Sequence, residues 1–398
     1  MASEAGREGK RSMKKNLSKK RKIAIITGGR IEFNYARPVI REIEKRPNMD
    51  YEIIAANMHL LPEFGHTIDE IKRDNFKIGA IVHNTLAGYN RLTMVKSLGV
   101  FLTELPGIID RMKPDIILVL GDRGEPFIGA MVGAHLYIPV AHIQAGELSG
   151  NIDGMTRHAL TKYAHIHFAS NKDAADRLRK MGEQDFRIFN VGAPQLDELV
   201  QGKITGEKAI RAKYGLPKNK KAILLIQHSV TEEEAQTESQ MSATLRTAAK
   251  FQCPTVIILN NSDAGSRFIR LAIQKHKTSD MKIFEHVPRE DYAGLMKTCD
   301  VLVGNSSSGI IESPIFKLPT VNIGNRQKGR FQSNNVINVG YGELDIEAAI
   351  KKALTPAFKA RAKRAPSVYG DGRSGKRIAD VLETIPIDEK LVVKHLSY

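Results

Sequence analysis

Short, almost continuously apolar runs recur along the chain, and longer stretches with helical spacing separate them. Runs at 22–27, 51–55, 115–120, 138–143, 165–169 and 187–191 form one series, and runs at 222–226, 255–259, 281–285, 301–303 and 320–323 form a second. Unbroken apolar runs of this length predict strands covered on both faces, and intervening stretches such as 232–251 predict the covering helices. Strand and helix alternate throughout, so the expected fold class is α/β, with two doubly wound parallel sheets and ligands at the carboxyl ends of the strands. A polar segment, 201–221, holds Gly202, Gly206, Gly215 and Pro217 and separates the two series. It predicts a hinge near 200–204 between Rossmann-like domains at 22–200 and 201–380. A last segment, 381–398, is expected to pack back on the first domain. Two such halves joined by one hinge enclose a cleft.

Size and charge refine this picture. A chain of 398 residues has room for two domains of about 100–200 residues each. Its apolar strings, such as 115–120, fall short of the roughly 20 residues of a membrane span, so none is expected. The first residues carry no apolar signal core, and Cys253 and Cys299 are the only cysteines, which together suit the cytoplasm. Of the formal charge of +16, the first 22 residues supply +7, from nine Lys or Arg against Glu4 and Glu8. Residues 1–21 therefore read as a disordered basic tail. The remaining excess suits a phosphate-bearing substrate, and with no aromatic-laced basic stripe a nucleic-acid partner is not expected.

Chemistry concentrates where the strands end. Strand 301–303 stops at Gly304 and runs into Asn305, Ser306, Ser307, Ser308, Gly309 and then Glu312. Hydroxyls and unpaired N–H groups at a helix start favour a phosphate, and a carboxylate one turn into the helix can accept both hydroxyls of a ribose. A helix cap is the structural alternative for the serines alone. The expected ligand is a nucleotide diphosphate, with Arg326 closing on the phosphates and Val287 lying against a flat base. Strand 222–226 places His228 at the same edge.

In the first half, Thr27-Gly28-Gly29-Arg30 offers a glycine turn and a guanidinium fork, though neither a dinucleotide fingerprint nor a P-loop. Gly121-Asp122-Arg123 puts a carboxylate, as general base or orienting group, beside a phosphate-binding arginine. Within residues 142–158 lie His142, Glu147, Asp153, Arg157 and His158, together with three glycines. Proton abstraction beside a sugar carbon needs such a base and acid, with pKa values pushed apart by their surroundings. A zinc site built on His142, His158, His165 and His167 lacks both the H-E-x-x-H spacing and a cysteine pair, so no metal is expected.

Taken together, Gly121-Asp122-Arg123, the segment from His142 to His158, Gln227-His228-x-Val230-Thr231, Asp263-Ala264-Gly265-Ser266, His286-Val287-Pro288, Gly304-Asn305-Ser306-Ser307 and Tyr369-Gly370-Asp371-Gly372 resemble the hydrolysing UDP-N-acetylglucosamine 2-epimerases. The resemblance runs from about residue 22 to about residue 375 and covers both the bacterial sialic- and legionaminic-type enzymes and the epimerase half of the animal bifunctional epimerase/kinase. It implies a GT-B fold and a reaction without metal or cofactor in the interdomain cleft. UDP would leave by anti elimination to a 2-acetamidoglucal, and water would add to release a free N-acetylmannosamine-type sugar. Matching positions would put Arg30, Asn34, Arg123, His228, Asn261, Val287, Ser306, Ser307, Glu312 and Arg326 around UDP. His59, Asp122, Gln144, Glu147, Asp153, Arg157 and His158 would line the sugar. The family also suggests a homodimer or homotetramer, and since no kinase half follows Tyr398, a single activity is expected.

Two departures bear on the chemistry. Gln144 stands where relatives often carry Glu or His, and an amide does not exchange protons at neutral pH. Gly154 stands where a second acid often follows the Asp. Either Asp122, Glu147 and the histidines carry the proton transfers, or the substrate differs from plain UDP-N-acetylglucosamine. The rival readings are a non-hydrolysing 2-epimerase, a GT-B glycosyltransferase, for which no acceptor site is marked, and an idle UDP-sugar binding protein.

Overall fold

The computed structural model describes residues 20–62, 65–87, 91–148, 152–202, 204–259, 265–285 and 287–397. Seven strands form the first sheet: β1 (Arg21–Thr27), β2 (Met49–Ala56), β3 (Ile78–Val82), β4 (Ile116–Leu120), β5 (Val140–Ala145), β6 (Ile166–Ala169) and β7 (Ile188–Asn190). Six form the second: β8 (Ile223–Ile226), β9 (Thr255–Ile258), β10 (Met281–Phe284), β11 (Val301–Gly304), β12 (Thr320–Ile323) and β13 (Val336–Val339). The strand orders are β3-β2-β1-β4-β5-β6-β7 and β10-β9-β8-β11-β12-β13, parallel in every pairing. Both are the doubly wound order that reverses direction beside the first strand.

Burial explains why the apolar runs were legible. All five residues of β4, Ile-Ile-Leu-Val-Leu, are buried, and the first sheet separates two cores. One holds Ile25, Phe33, Ile53, Leu118 and Phe168, and the other holds Ile26, Phe101, Leu105 and Val119. The second sheet repeats the arrangement. The sequence pattern missed β3 and β13. Both are edge strands with few buried positions, so they lack the unbroken apolar run that betrays an interior strand. Strand β5 starts at Val140 instead of 138 because Pro139 has no N–H and Ile138 closes a turn on Gly133.

Two expectations about the ends are corrected. Arg21, assigned to the tail, opens β1, and its guanidinium donates to the carbonyls of Leu382, Glu383 and Ile385 at 2.8–2.9 Å. The boundary at 380 falls inside helix Ser374–Thr384, whose Ile378, Ala379 and Leu382 complete the first core instead of the second. Beyond it, buried Arg187 donates to the carbonyls of Leu391 (2.7 Å) and Lys390 (2.8 Å), and Lys394 Nζ reaches those of Thr161 (2.6 Å) and Ala164 (2.8 Å). The chain therefore crosses between the domains twice. Helix Arg91–Met112 also carries, at 92–112, a stretch long and apolar enough to cross a membrane by composition, although Phe101, Leu105 and Ile109 lie in the core.

The return crossing is pinned by Asp197, whose carboxylate accepts the N–H groups of Ser374 (2.9 Å) and Gly375 (2.7 Å). Losing a helix-start cap of this kind costs about 1–2 kcal/mol. Asp197→Ala is expected to lower unfolding stability by about that amount in urea denaturation, and an unchanged midpoint would deny the cap a structural role.

Candidate active site

A strand buried on both faces can present polar groups to a ligand only where it leaves the sheet, and the reversal of strand order opens a crevice there. In the first domain that crevice lies between β1 and β4. Strand β1 ends in Thr27 and turns through Gly28 and Gly29 into helix Arg30–Glu44. Glu32, buried in the first turn of this helix, accepts the Gly28 N–H. Glu125, also buried, lies on the other side of the turn, where a Cβ on Gly28 would stand 3.0 Å from Glu125 Oε2. Burial, reinforced by the Glu125 charge, pushes Glu32 up to about 8. Neither carboxyl was singled out from the sequence; the available signal was that each follows a strand end by only a few residues.

Strand β4 delivers Asp122 and Arg123. Asp122 pairs with Arg157, which projects from helix Ile152–Tyr163 and is 2% exposed. Burial alone would raise the Asp122 pKa, but Arg157, Arg123 and Arg330 outweigh it and hold the carboxyl below its ordinary value. Among the described residues Arg157 Nε and Nη1 have no hydrogen-bond partner, so two buried donors are available for a substrate oxygen. Glu147, beyond β5, accepts from Asn171 Nδ2 at 2.6 Å. Burial raises its pKa against the opposing charges of Arg330, Arg157 and Arg177. Two buried carboxyls served by the same arginines are thus displaced in opposite directions.

The remaining sugar-side residues divide. His158 follows Arg157 on the same helix and is kept neutral by burial and by the charges of Arg157 and Arg177. Asp153 lies in the first turn of that helix, and its side chain is outside the described residues. His59 is fully buried with both ring nitrogens engaged, by Thr27 Oγ1 at 2.9 Å and Thr67 Oγ1 at 2.8 Å, and burial lowers it to about 4. A proton exchange with substrate would have to break one of those bonds. His142 Nε2 donates to the Gly121 carbonyl at 2.7 Å and so braces the loop that carries Asp122. His165 and His167 are held by Val140 N–H (3.1 Å) and Glu183 (2.9 Å), and among the described residues no group of three metal-ligating side chains forms.

The second domain's crevice lies between β8 and β11. Gly304 has φ +133°, and a Cβ there would stand 2.0 Å from the Ile226 carbonyl, so only glycine fits. Asn305 then ties the two strand ends together: its Oδ1 accepts His228 N–H (2.7 Å) and its Nδ2 donates to the His228 carbonyl (2.8 Å). Burial and Arg326 lower His228 to about 3, so its imidazole is neutral. Arg326 Nη1 reaches the Asn305 carbonyl at 3.3 Å, and Ser306 and Ser308 share a 2.9 Å hydrogen bond. Val287 is buried in the second domain's core. Asn261, expected beside UDP, lies outside the described residues, as does His286.

One expectation changes. The serine helix is a single turn, Ser308–Ile311, and Glu312 stands at its C-cap, not inside it, because Pro314 prevents continuation. Glu312 is buried and lies 3.5 Å from Arg289, which also donates to the Gln195 carbonyl at 2.7 Å. Arg289 thereby joins the two domains. Arg30, at the start of its helix, lies 3.3 Å from Glu70. A cavity between the domains is lined by Asn34 and Tyr35 from the first and by Ser307, Ser308 and Glu312 from the second. Arg330 likewise crosses from the second domain to the first: its Nε donates to the Leu148 carbonyl at 3.2 Å, and its charge bears on Asp122 and Glu147.

Residues 41–383 match the family described as UDP-N-acetylglucosamine 2-epimerase. The chain belongs to that family. It is 36% identical to the UDP-N,N'-diacetylbacillosamine 2-epimerase (hydrolyzing) of Legionella pneumophila, over 95% of this chain and 100% of the relative. It is 32% identical to the GDP/UDP-N,N'-diacetylbacillosamine 2-epimerase (hydrolyzing) of Campylobacter jejuni, over 85% and 89% respectively. The crystal structure of UDP-GlcNAc 2-epimerase from Neisseria meningitidis bound to UDP-GlcNAc superposes with a TM-score of 0.78 at 19% identity, covering 91% of this chain and 99% of that one. At that identity the likeness is one of fold, and the fold is the GT-B pair of Rossmann-like domains.

The folded chain keeps a proton on Glu32 that the unfolded chain releases near 4.5, so this group favours folding at low pH and the benefit is lost as pH rises towards 8. Glu32→Gln cannot ionise and is expected to flatten that part of the decline in urea midpoint between about pH 5 and pH 8. An equally steep decline in the variant would assign the pH dependence to other groups.

Proposed function

We propose that this member of the family is a hydrolysing 2-epimerase of a UDP-2-acetamido sugar. The observation that carries the reading is the pair Asp122 and Glu147, which follow β4 and β5 of the first domain and are displaced in opposite directions, together with the cavity in which Asn34 and Tyr35 meet Ser307, Ser308 and Glu312 of the second. Asp122, held ionised by Arg157 and Arg123, is suited to take the C2 proton. The C2–H electron pair then forms the C1=C2 bond, and the C1–O pair leaves with UDP. Glu147, whose pKa burial raises, is suited to return a proton when water adds at C1 of the glucal. Arg157, with two open donors, would steady the acetamido or ring oxygens beside Asp122. On the nucleotide side, Ser306, Ser307 and Arg326 would take the diphosphate, Glu312 the ribose, and Val287 the base, with Arg30, Asn34, Arg123, His228 and Asn261 completing the UDP shell.

Among relatives above 30% identity, two, at 36% and 32%, act by name on diacetylbacillosamine nucleotides, and another, at 32%, is named UDP-N-acetylglucosamine 2-epimerase. Gln144 and the 36% relative support a sugar carrying a second acetamido group, with plain UDP-N-acetylglucosamine as the alternative substrate. Self-association as a homodimer or homotetramer is supported by Leu92, Met94 and Val95, 63–68% exposed at the start of helix Arg91–Met112, an apolar surface that a monomer leaves in water.

Proton NMR in deuterated water, with UDP-N,N'-diacetylbacillosamine and UDP-N-acetylglucosamine compared, is expected to show stoichiometric UDP and a free 2-epimer deuterated at C2, faster from the first substrate. A UDP-linked epimer would establish the non-hydrolysing reaction instead, and binding of UDP without turnover of either sugar would establish an idle binding protein. Asp122→Asn is expected to cost about 10²–10⁴-fold in kcat with UDP affinity changed only a few-fold; full turnover would remove Asp122 from the proton transfer. Light scattering should return at least twice the 44.2 kDa chain mass.

A further inference from the structure

Tyr35 stands where the two halves of the site meet. It lies in the second turn of helix Arg30–Glu44, with its ring packed against the first core. A Cβ on Gly121 would stand 3.6 Å from Tyr35 Cε2, so the ring covers the backbone immediately before Asp122. On its other side Tyr35 lines the interdomain cavity with Ser307, Ser308 and Glu312. A sugar nucleotide spanning from the phosphate cradle to the carboxylates must place its C1–O–phosphate linkage between these features, and Tyr35 is a side chain that borders both.

Its hydroxyl is held by Gln144, the residue whose amide cannot serve as an acid or base. Gln144 is 5% exposed and has φ +64°, at a register break between β5 and β6. A left-handed glutamine costs roughly 1–2 kcal/mol, a strain that tends to persist where a side chain must be aimed. Here the bulge aims it at Tyr35. The Gln144 side chain and the Tyr35 hydroxyl are hydrogen-bonded, and with the amide N–H as donor one lone pair of Oη is occupied. With that lone pair occupied, the phenolic proton is left to point at another acceptor. Burial, aided by the Asp122 charge, pushes Tyr35 up to about 12, so it keeps its proton and can act as a donor but not as a base.

We propose that Tyr35 donates a hydrogen bond to the β-phosphate oxygen that departs from C1, with Gln144 as its positioning residue. The inference rests on the elimination reading above. As Asp122 takes the C2 proton and the C1–O electron pair leaves with UDP, charge grows on the departing oxygen. The Tyr35 O–H meets that charge and retains its proton, so no further co-reactant is required. A fixed donor placed where charge develops accounts for about 10²–10³-fold in rate. Gln144 then has a role that needs no proton exchange.

Two rates test the proposal. The first is single-turnover UDP release from whichever of the two UDP-sugars the wild-type chain turns over. The second is hydration of the 2-acetamidoglycal made from the same sugar, supplied with UDP, a step in which no C1–O bond to phosphate breaks. Tyr35→Phe keeps the ring and is expected to slow UDP release by about 10²-fold while hydration stays within about 3-fold. Gln144→Leu is expected to slow the same step by a smaller factor and leave hydration alone. Unchanged UDP release in Tyr35→Phe, or equal loss of both rates with UDP affinity intact, would overturn the proposal. Should Tyr35→Phe fail to bind UDP, the split between the two rates in Gln144→Leu decides. A wild-type chain that performs neither step would overturn the elimination reading itself, a result distinguishable from any behaviour of the variants.

Discussion

Every functional feature of this chain depends on one constraint: a parallel strand covered by helices on both faces has no room for polar side chains until it leaves the sheet. Strands β4, β8, β11 and β12 are buried along their whole length, so their chemistry is displaced to the residues that follow. The strand order reverses beside β1 and beside β8, which opens a crevice at each of those ends. Gly28, Asp122 and Arg123 occupy one crevice, and His228, Asn305 and Ser306 the other. Because the chain returns through helix Ser374–Thr384 into the first core, the two domains are tied at two crossings, which limits how the crevices can face each other.

Charge in the site is organised around buried arginines. Arg157 pairs with Asp122, Arg330 arrives from the second domain, and Arg123 stands beside both. Their summed field overcomes the burial of Asp122 but not that of Glu147, so one carboxyl is held below its ordinary pKa and the other above it. Differences of this kind let one cleft both remove and return a proton. The imidazoles follow the opposite rule. His59, His142 and His228 have no carboxylate partner strong enough to offset desolvation and are held neutral at about 4, 3 and 3. His59 and His142 serve as hydrogen-bonding struts, His142 for the Gly121 loop and His59 between Thr27 and Thr67.

Much of this was legible beforehand, and the exceptions have physical causes. The interior strands announced themselves through unbroken apolar runs, whereas the edge strands β3 and β13, partly exposed and shorter of apolar residues, did not. Asp122, Glu147, Ser306 and Arg326 were singled out because polar residues soon after an apolar run are locally conspicuous, and Arg157 because it stands in a dense group of acids and bases. Glu32, Glu125, Asn171, Arg289 and Arg330 were not, since each sits inside a helix or a loop where a charged or amide residue is unremarkable on its own.

The sequence by itself determined the alternating α/β architecture, the two-domain division, the cluster of acids and bases at the strand ends and the family. These are local properties: side-chain periodicity, a glycine at a turn, a motif read in order. Tertiary structure alone decided which carboxyl is held below its ordinary pKa and which above it, that Arg330 and Arg289 reach across the cleft, that the last helix belongs to the first core, and that Gln144 meets Tyr35. Each of these depends on burial and on distances between groups far apart in the chain, to about a hundred residues for Gln144 and Tyr35, and electrostatic energy varies steeply with both.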